Sequence, residues 1–274
     1  MLEAESMKWF WTLLVGSLVT LTLMFLLMQQ WGRLQTYEEF AHPFFTGLPD
    51  PVNATIFTET APKDAWASRV AWIDLRASAD GILFHSDELI TAEKVSGLMG
   101  QWPNYLGPKA YLYKFADLKK FFPEAKAFAD ICREVKPERW ILNLVDNSEG
   151  IHLAIVAAIE SCGLQEKALI QSTTTSVLGS VRREKPRWLF GFSQADLNRI
   201  VTFSSVGLGS MAPIKGDVFI SPVTVLGRKI VDRTVLEEVQ RRKMKIILGP
   251  VTNEEDMKFI SDNHLPYDVL VQGR

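Results

Sequence analysis

Two side chains that could carry chemistry lie close together in the sequence, Asp74 and His85. Each ends a short apolar run, Val70–Asp74 and Ile82–His85, so each is expected at the end of a β-strand. A carboxylate and an imidazole at one edge of a sheet could bind a divalent metal ion or exchange protons with a substrate. An isolated Asp or His at a strand end can also merely cap the following loop, and the sequence leaves both interpretations open.

The elements that would position this pair alternate between short apolar runs and longer helical segments. Continuous apolar strands, each followed by a helix, are typical of a parallel sheet buried on both faces. The predicted strands are Val70–Asp74, Ile82–His85, Trp140–Val145, Ala168–Ser172, Trp188–Phe192, Asp217–Ile220, Ile246–Leu248 and Val269–Val271. The predicted helices lie near 91–99, 115–135, 149–162, 174–184, 194–203, 232–242 and 253–263.

This number and order of strands predicts a TIM-like (βα)8 barrel, in which reactive groups gather at the carboxyl ends of the strands. An open doubly wound sheet is the alternative, but no glycine-rich phosphate loop follows any predicted strand. Helix starts are expected at Asp146–Ser148, at Ser193 and at Thr252-Asn253, and Gly163 is expected to end the helix before it.

The N-terminal region predicts a membrane anchor. Residues 9–31 contain no charge, and about 20 apolar residues suffice to cross a bilayer. A cleaved signal peptide is the alternative, although its apolar core is usually shorter and a small-residue cleavage site follows it. Lysines and arginines at the two ends give little orientation bias, and a short tail before one apolar run favours a large domain on the non-cytoplasmic side.

The chain therefore divides into an N-terminal tail (1–8), a transmembrane helix (9–31), a linker with an irregular lead-in (32–68) and a barrel domain (69–274). The formal net charge of −2 argues against a nucleic-acid-binding surface. Cys132 and Cys162 both lie in helix-like stretches, which predicts buried free thiols, with a single bridge between them as the alternative.

The segment 70–87, VAWIDLRASADGILFHSD, resembles the glycerophosphodiester phosphodiesterases. In that family a strand with Glu-x-Asp is followed by an Asp-Gly turn, a second apolar strand and His-Asp. Asp74 takes the place of the aspartate, Asp80-Gly81 resembles the turn, and His85 resembles a catalytic histidine. Weaker similarity continues through 111–122, 168–186, 235–257 and 267–271, so the resemblance spans roughly 40–274.

The resemblance implies a metal-assisted hydrolysis of glycerophosphodiesters or lysophospholipids. Two histidines would act as acid and base, and Glu and Asp ligands would hold one Ca²⁺ or Mg²⁺ ion. The candidate for the first histidine is His42, which precedes His85 by about the family's usual interval, although the sequence around it favours a histidine in the linker. The candidates for the metal ligands are Asp74 and Asp50.

Several positions of the family's pattern carry other residues here. Trp72 stands where the glutamate of Glu-x-Asp is expected, and Asn143 and Val145 stand where a Glu-x-Lys strand is expected. Pro43 replaces the arginine that would grip the phosphate. Asp74 alone is a poor cation site, because hard cations bind tightly only where several charged oxygen ligands surround them.

Two functions therefore stay open. One is a divergent phosphodiesterase that uses His85, Asp74 and His42. The other is a membrane-tethered protein without catalysis, whose barrel mouth binds a ligand or a partner. A barrel tethered so close to its spanning helix would meet phospholipid head groups directly if its mouth faced the bilayer.

Overall fold

The structure, a computed structural model, describes residues 2–58, 70–87, 110–148, 150–225 and 228–273. Its strands are β1 (Val52–Ile56), β2 (Val70–Ala77), β3 (Leu83–His85), β4 (Lys126–Ala127), β5 (Arg139–Leu144), β6 (Ala168–Gln171), β7 (Leu189–Phe190), β8 (Val218–Ser221), β9 (Thr224–Val225), β10 (Arg228–Lys229), β11 (Lys245–Val251) and β12 (Val269–Gln272). Its helices are α1 (Leu2–Leu34), α2 (Phe115–Phe121), α3 (Phe128–Glu134), α4 (Ile151–Cys162), α5 (Thr175–Glu184), α6 (Gln194–Ser205), α7 (Arg233–Arg241) and α8 (Glu254–Asp262).

Parallel strands form the barrel in the spatial order β7-β6-β5-β2-β1-β12-β11-β8. The two ends of this path meet, because Gly191 pairs in parallel with Val218. The Phe192 amide donates to the Val218 carbonyl over 3.0 Å, and the Asp217 amide donates to the Phe190 carbonyl over 2.8 Å. The sheet is therefore closed, which confirms the (βα)8 barrel and excludes the doubly wound alternative.

The first barrel strand lies inside the segment predicted as a linker. β1 pairs with β12 on one side and with β2 on the other, with Val52 opposite Val269 and Ala54 opposite Val70. The prediction of a linker over 32–68 is therefore wrong for 52–56. The strand is short, and the exposed Asn53 interrupts its apolar pattern, so its sequence signal is weak.

A different strand takes no part in the barrel. Leu83–His85 was predicted in the same series as the barrel strands, but it pairs antiparallel with the end of β2, with Arg76 opposite Phe84. Its other neighbour is the two-residue strand β4, also antiparallel. β2 and β3 thus form a hairpin above the carboxyl end of β2, with the turn at Asp80-Gly81.

The amino-terminal end of the barrel is closed by a short 3₁₀ turn at Pro43–Phe45. Phe44 is fully buried and packs with the apolar side chains that fill the barrel interior. The Arg139 side chain, at the start of β5, donates from Nε to the Phe44 carbonyl over 2.7 Å and from Nη2 to the Thr46 carbonyl over 3.0 Å. Residues just before β1 therefore form a plug that is fixed to the barrel by both packing and hydrogen bonds.

The helices cover the outside of the sheet and mostly follow the prediction. Ser193 caps α6 in a capping box with Asp196, Asn253 caps α8, and Gly163 ends α4 in a left-handed conformation. The expected cap at Asp146–Ser148 is wrong, since α4 begins after Gly150, whose φ is +82°. The helix expected over 115–135 is two helices, because the chain turns at 122–125 around Pro123, and the helix expected over 91–99 lies outside the described residues.

Cys132 and Cys162 form a disulfide, with a Cα–Cα distance of 6.3 Å. The expectation of free thiols is therefore wrong. The bridge joins α3 to the last residue of α4, two neighbouring outer helices that pack on the same apolar cluster. Its formation depends on how these helices pack, which the spacing of two cysteines does not reveal.

The first helix is long and apolar enough, over Trp11–Leu34, to cross a membrane. Its mean hydropathy is 2.1, and its most apolar 18-residue stretch is not buried against the rest of the protein. By length and composition it qualifies as a membrane span or as a signal sequence.

Candidate functional site

Asp74 lies on the inner face of β2, near the carboxyl end of the barrel. Side chains alternate along a strand, so Trp72, Asp74 and Arg76 share this face. The Trp72 indole Nε1 donates to Asp74 Oδ1 over 2.9 Å, and the Asn143 amide Nδ2 donates to the same oxygen over 2.7 Å. Asn143 reaches it because β5 pairs with β2 in the register that sets Asn143 opposite Asp74.

His85 lies beside Asp74, as the sequence predicted. The hairpin folds β3 back onto β2, and His85 Nδ1 stands 2.8 Å from the Asp74 carbonyl oxygen. His85 Nε2 stands 2.9 Å from Asp87 Oδ1, and the ring is only 1% exposed. A carbonyl and an ionised carboxylate only accept hydrogen bonds, so a protonated His85 could donate to both partners, one from each ring nitrogen.

Arg76 and Asp146 form an ion pair one step further out on the mouth. Arg76 Nη1 donates to Asp146 Oδ1 over 2.7 Å, and both side chains are less than one-fifth exposed. Burial raises the pKa of Asp146 above its ordinary value, although the Arg76 guanidinium and the Ala77 amide act in the opposite direction. The guanidinium is therefore already paired with a carboxylate of this chain.

The pKa of Asp146 gives a prediction about pH. Its folded-state pKa lies above the ordinary 3.8, so the stability that Asp146 contributes falls as the pH rises from 3.8 through that raised pKa. Arg76→Gln removes the opposing charge and is expected to raise the pKa of Asp146 further. Carboxyl ¹³C NMR titration, assigned with Asp146→Asn, measures it.

Asp80 serves as the control for that titration. The hydrogen bond from Ser78 lowers the pKa of Asp80, and this carboxylate lies in the turn of the hairpin. The pKa of Asp80 should be the same in the wild type and in Arg76→Gln. A pKa of Asp146 at or below 3.8, or one that Arg76→Gln leaves unchanged, contradicts the raised pKa and the effect of Arg76 on it.

Gln171 continues the polar layer across the barrel mouth. It stands opposite Asn143 on β6, and its Nε2 donates to the Phe192 carbonyl over 3.0 Å. Gly191 leaves room for it, because a Cβ there would overlap the amide of Gln171. Gln171 Oε1 is buried and has no hydrogen-bond partner in the structure.

The other two predicted site residues lie at the opposite end of the barrel. His42 caps the 3₁₀ turn of the plug, where its Nδ1 accepts from the Phe44 amide over 3.1 Å. Burial lowers the pKa of His42, against the charge of Asp217. Asp50 lies just before β1, next to the plug. The structure thus brings Asp74 and His85 together and brings neither His42 nor Asp50 to them.

Comparison with known proteins identifies structural relatives. No protein-family model and no curated protein matches the sequence. A glycerophosphoryl diester phosphodiesterase domain from Mycobacterium tuberculosis is 13% identical, with a TM-score of 0.54, over 82% of this chain and 96% of that domain. A glycerophosphodiester phosphodiesterase from Agrobacterium tumefaciens is 9% identical, with a TM-score of 0.53, over 82% and 96%. A phosphodiesterase from Oleispira antarctica, solved with the product sn-glycerol-3-phosphate, is 13% identical, with a TM-score of 0.55, over 81% and 93%.

This barrel has the fold of the glycerophosphodiester phosphodiesterases. The similarity covers nearly the whole of each of those structures, and it agrees with the resemblance in the segment 70–87. At these identities it establishes the fold, and the residues at the mouth must decide the chemistry.

The first strand of the phosphodiesterase fold can now be located. The sequence places the first catalytic histidine at His42, but the strand that pairs with β2 and β12 is β1, which ends at Ile56. Phe57 and Thr58 follow it, and the Phe57 ring meets the His85 ring edge-on, with centroids 5.1 Å apart. An aromatic ring therefore contacts His85 at the end of the first strand.

The described carboxylates of the barrel mouth do not fit the ligand set of a divalent cation. Among the described residues, no group of three or more His, Cys, Asp or Glu side chains could hold a metal ion. Asp74 accepts from Trp72 and Asn143, Asp146 is paired with Arg76, and Asp87 is bonded to His85. Ca²⁺ and Mg²⁺ require several oxygen ligands that are free to turn toward the ion.

The sequence identifies Trp72 and Asn143 only as replacements of family residues. Their contacts with Asp74 were not predicted. The two-residue period of a strand was sufficient to place Trp72 on the same face as Asp74. The contact from Asn143 depends on the register between β2 and β5, for which the sequence carried no signal.

Proposed function

We propose that this chain is a membrane-tethered, glycerophosphodiester phosphodiesterase-like protein that does not hydrolyse phosphodiesters and whose barrel mouth binds a ligand or partner. One observation carries the proposal: both residues that stand in place of family glutamates, Trp72 and Asn143, donate hydrogen bonds to the remaining carboxylate, Asp74.

The charge balance of the mouth explains why this observation matters. Three carboxylates around one point repel one another until a cation neutralises them, so such a cluster creates a metal site. A single carboxylate that accepts two hydrogen bonds is stable without a cation. Asp74 Oδ1 therefore already accepts two hydrogen bonds from this chain, and a phosphodiester at the mouth would lack the metal that neutralises its charge during cleavage.

The membrane part of the proposal rests on α1. Its apolar stretch is long enough to span a bilayer, and the lipid bilayer is the partner that we propose for it. The disulfide between Cys132 and Cys162 supports a barrel on the non-cytoplasmic side, because disulfides persist in oxidising compartments and are rare in the cytosol.

The ligand that we propose for the mouth belongs to the class that the fold's relatives handle, a glycerophosphodiester or a phospholipid head group. Gln171 Oε1 and Ser148 Oγ, both near the carboxyl ends of barrel strands, are buried polar atoms without a hydrogen-bond partner in the structure. Buried polar groups normally find partners, so each favours a hydroxyl-bearing ligand or water in the mouth.

A divergent phosphodiesterase is the second candidate, and His85 favours it. His85 is buried between Asp87 and the Asp74 carbonyl, and in its protonated form it could act as a general acid that protonates the departing alkoxide oxygen as its bond to phosphorus breaks. The structure offers no second histidine beside it among the described residues, because His42 lies at the other end of the barrel and neither His152 nor His264 lies at the end of a barrel strand.

Hydrolysis assays separate the two candidates. The full chain in nanodiscs is incubated with glycerophosphocholine or lysophosphatidylcholine, with Ca²⁺ or Mg²⁺, and released choline or glycerol phosphate is measured. The Oleispira antarctica phosphodiesterase serves as the positive control. We expect no turnover above the rate of empty nanodiscs, and no difference between the wild type and His85→Ala.

Turnover that His85→Ala abolishes would refute the non-hydrolytic proposal and establish the second candidate. Turnover that persists unchanged in His85→Ala would identify a contaminating enzyme. A mock preparation that lacks the chain must then show the same turnover. Absence of turnover in both proteins, together with saturable binding of glycerophosphocholine, is the result that the proposal predicts.

A further inference from the structure

The end of α1 is docked on the barrel. Gly32 is buried, and a Cβ at this position would stand 2.6 Å from Ser210 Cβ, so only glycine permits this approach. One turn earlier, Gln29 Nε2 donates to the Gly207 carbonyl over 3.2 Å. Both partners belong to the segment 206–211, which follows α6.

A buried ion pair holds that segment in place. Arg242 donates from Nη2 to the carbonyls of Gly209 and Ser210 over 2.9 and 3.2 Å, and from Nε to Glu238 over 2.6 Å. Burial raises the pKa of Glu238, but the hydrogen bonds from Arg241 and Arg242 outweigh it and hold the pKa below its ordinary value. The pair is therefore charged at neutral pH.

The chain that leaves α1 is bound to the same place. Arg241 Nη1 donates to the Gln35 carbonyl over 3.3 Å, and its guanidinium lies 5.1 Å from the centre of the Tyr37 ring. The Arg242 guanidinium lies 5.8 Å from the same ring. Contacts on both sides of Leu34 thus fix the direction in which the chain enters the barrel, so the segment after α1 is not a loose tether.

This docking site lies at the amino-terminal end of the barrel strands. In a (βα)8 barrel the helices run from the carboxyl ends of the strands back to their amino ends. The site is formed at the carboxyl ends of α6 and α7, so it lies at the same end as the Phe44 plug. Asp74 and His85 lie at the other end, and a five-residue strand alone spans about 16 Å.

The direction of α1 shows which side of the docking site faces the membrane. Its apolar side chains from Trp11 to Met28 are exposed, so the helix leaves the barrel instead of packing along it. Val206, which is 54% exposed, stands next to Gly207 and therefore beside the end of the spanning stretch.

We propose that the barrel rests on its bilayer through its amino-terminal end and holds its mouth away from that bilayer. The inference depends on the proposed membrane span, and it changes the expected ligand source. A head group in the bilayer that carries the anchor cannot reach Asp74 and His85. The mouth is open instead to a water-soluble glycerophosphodiester.

Fluorescence quenching in nanodiscs tests this orientation. The native cysteines are paired, so a single introduced thiol takes the label selectively. Val206→Cys reports the docking end, and Glu255→Cys, 87% exposed in the first turn of α8, reports the mouth end. Phosphatidylcholine with a nitroxide on its head group is the quencher. We expect several-fold stronger quenching at position 206 than at position 255.

Two glycines of α1 provide a matched pair for the docking contact. Gly32→Val would overlap Ser210, whereas Gly16 has no other group near its Cβ position, so Gly16→Val leaves the docking unchanged. Quenching at position 206 should fall in Gly32→Val and stay at the wild-type level in Gly16→Val. Circular dichroism confirms that the barrel of each variant is folded.

Equal quenching at the two positions, or stronger quenching at position 255, overturns the proposed orientation. Identical quenching in Gly32→Val and Gly16→Val overturns the docking contact as its cause. Release of the chain by alkaline carbonate overturns the membrane span itself, and the orientation with it. Hydrolysis is measured separately, so the outcome for catalysis is independent of all three.

Discussion

Phe44→Ala is expected to lower the free energy of unfolding by about 3–5 kcal/mol, the range typical of a large aromatic removed from a core. Phe44 is fully buried and packs against the apolar side chains inside the barrel. Its removal leaves a cavity at the amino-terminal end, because the Arg139 hydrogen bonds hold the turn around it in place. Urea unfolding followed by tryptophan fluorescence measures the effect.

Phe121→Ala is the matched control, since this phenylalanine is 38% exposed at the end of α2. It should lower the free energy of unfolding far less than Phe44→Ala does. Equal and small effects of both substitutions would show that residues 43–45 are not part of the folded barrel. The prediction therefore tests whether the segment before β1 is a plug or the linker that the sequence suggested.

Loss of the disulfide between Cys132 and Cys162 is expected to destabilise the barrel by about 3–4 kcal/mol. The bridge joins two cysteines that are 30 residues apart in the sequence. It stabilises the fold because it lowers the conformational entropy of the unfolded chain. The double variant Cys132→Ser/Cys162→Ser should therefore have a clearly lower Tm than the oxidised wild type.

A reducing agent provides the internal control for this prediction. It should lower the Tm of the wild type toward that of the double variant and leave the double variant unchanged. A wild-type Tm that is insensitive to a reductant able to open the bridge would contradict a stabilising disulfide. Two free thiols in the protein isolated from cells would also remove the support that the bridge gives to a non-cytoplasmic barrel.

The sequence predicted the parts of the fold whose signal is local. β5, β6 and β12 are mostly apolar, and each lies within a residue or so of its predicted bounds. The closeness of Asp74 and His85 also followed from local pattern, because the Asp80-Gly81 turn folds one strand end onto the other.

The missed features depend on contacts between distant segments. β1 is short and carries the exposed Asn53, and only its pairing with β2 and β12 identifies it as a barrel strand. The interval from His85 points to His42 as the first catalytic histidine, but the first barrel strand follows His42 instead of preceding it. The disulfide needs the packing of α3 against α4, and the Asp74 network needs the register of β2 with β5.

Asp74 Oδ1 accepts hydrogen bonds from Trp72 and Asn143, and the proposed function predicts that Asp74 holds no cation. Isothermal titration of Ca²⁺ and of Mg²⁺ into the full chain in nanodiscs, up to about 1 mM, reaches the weak end of protein Ca²⁺ sites and tests the claim directly. We predict no saturable heat with either ion, and identical traces for the wild type and Asp74→Asn. Saturable binding by the wild type that is lost in Asp74→Asn would contradict it.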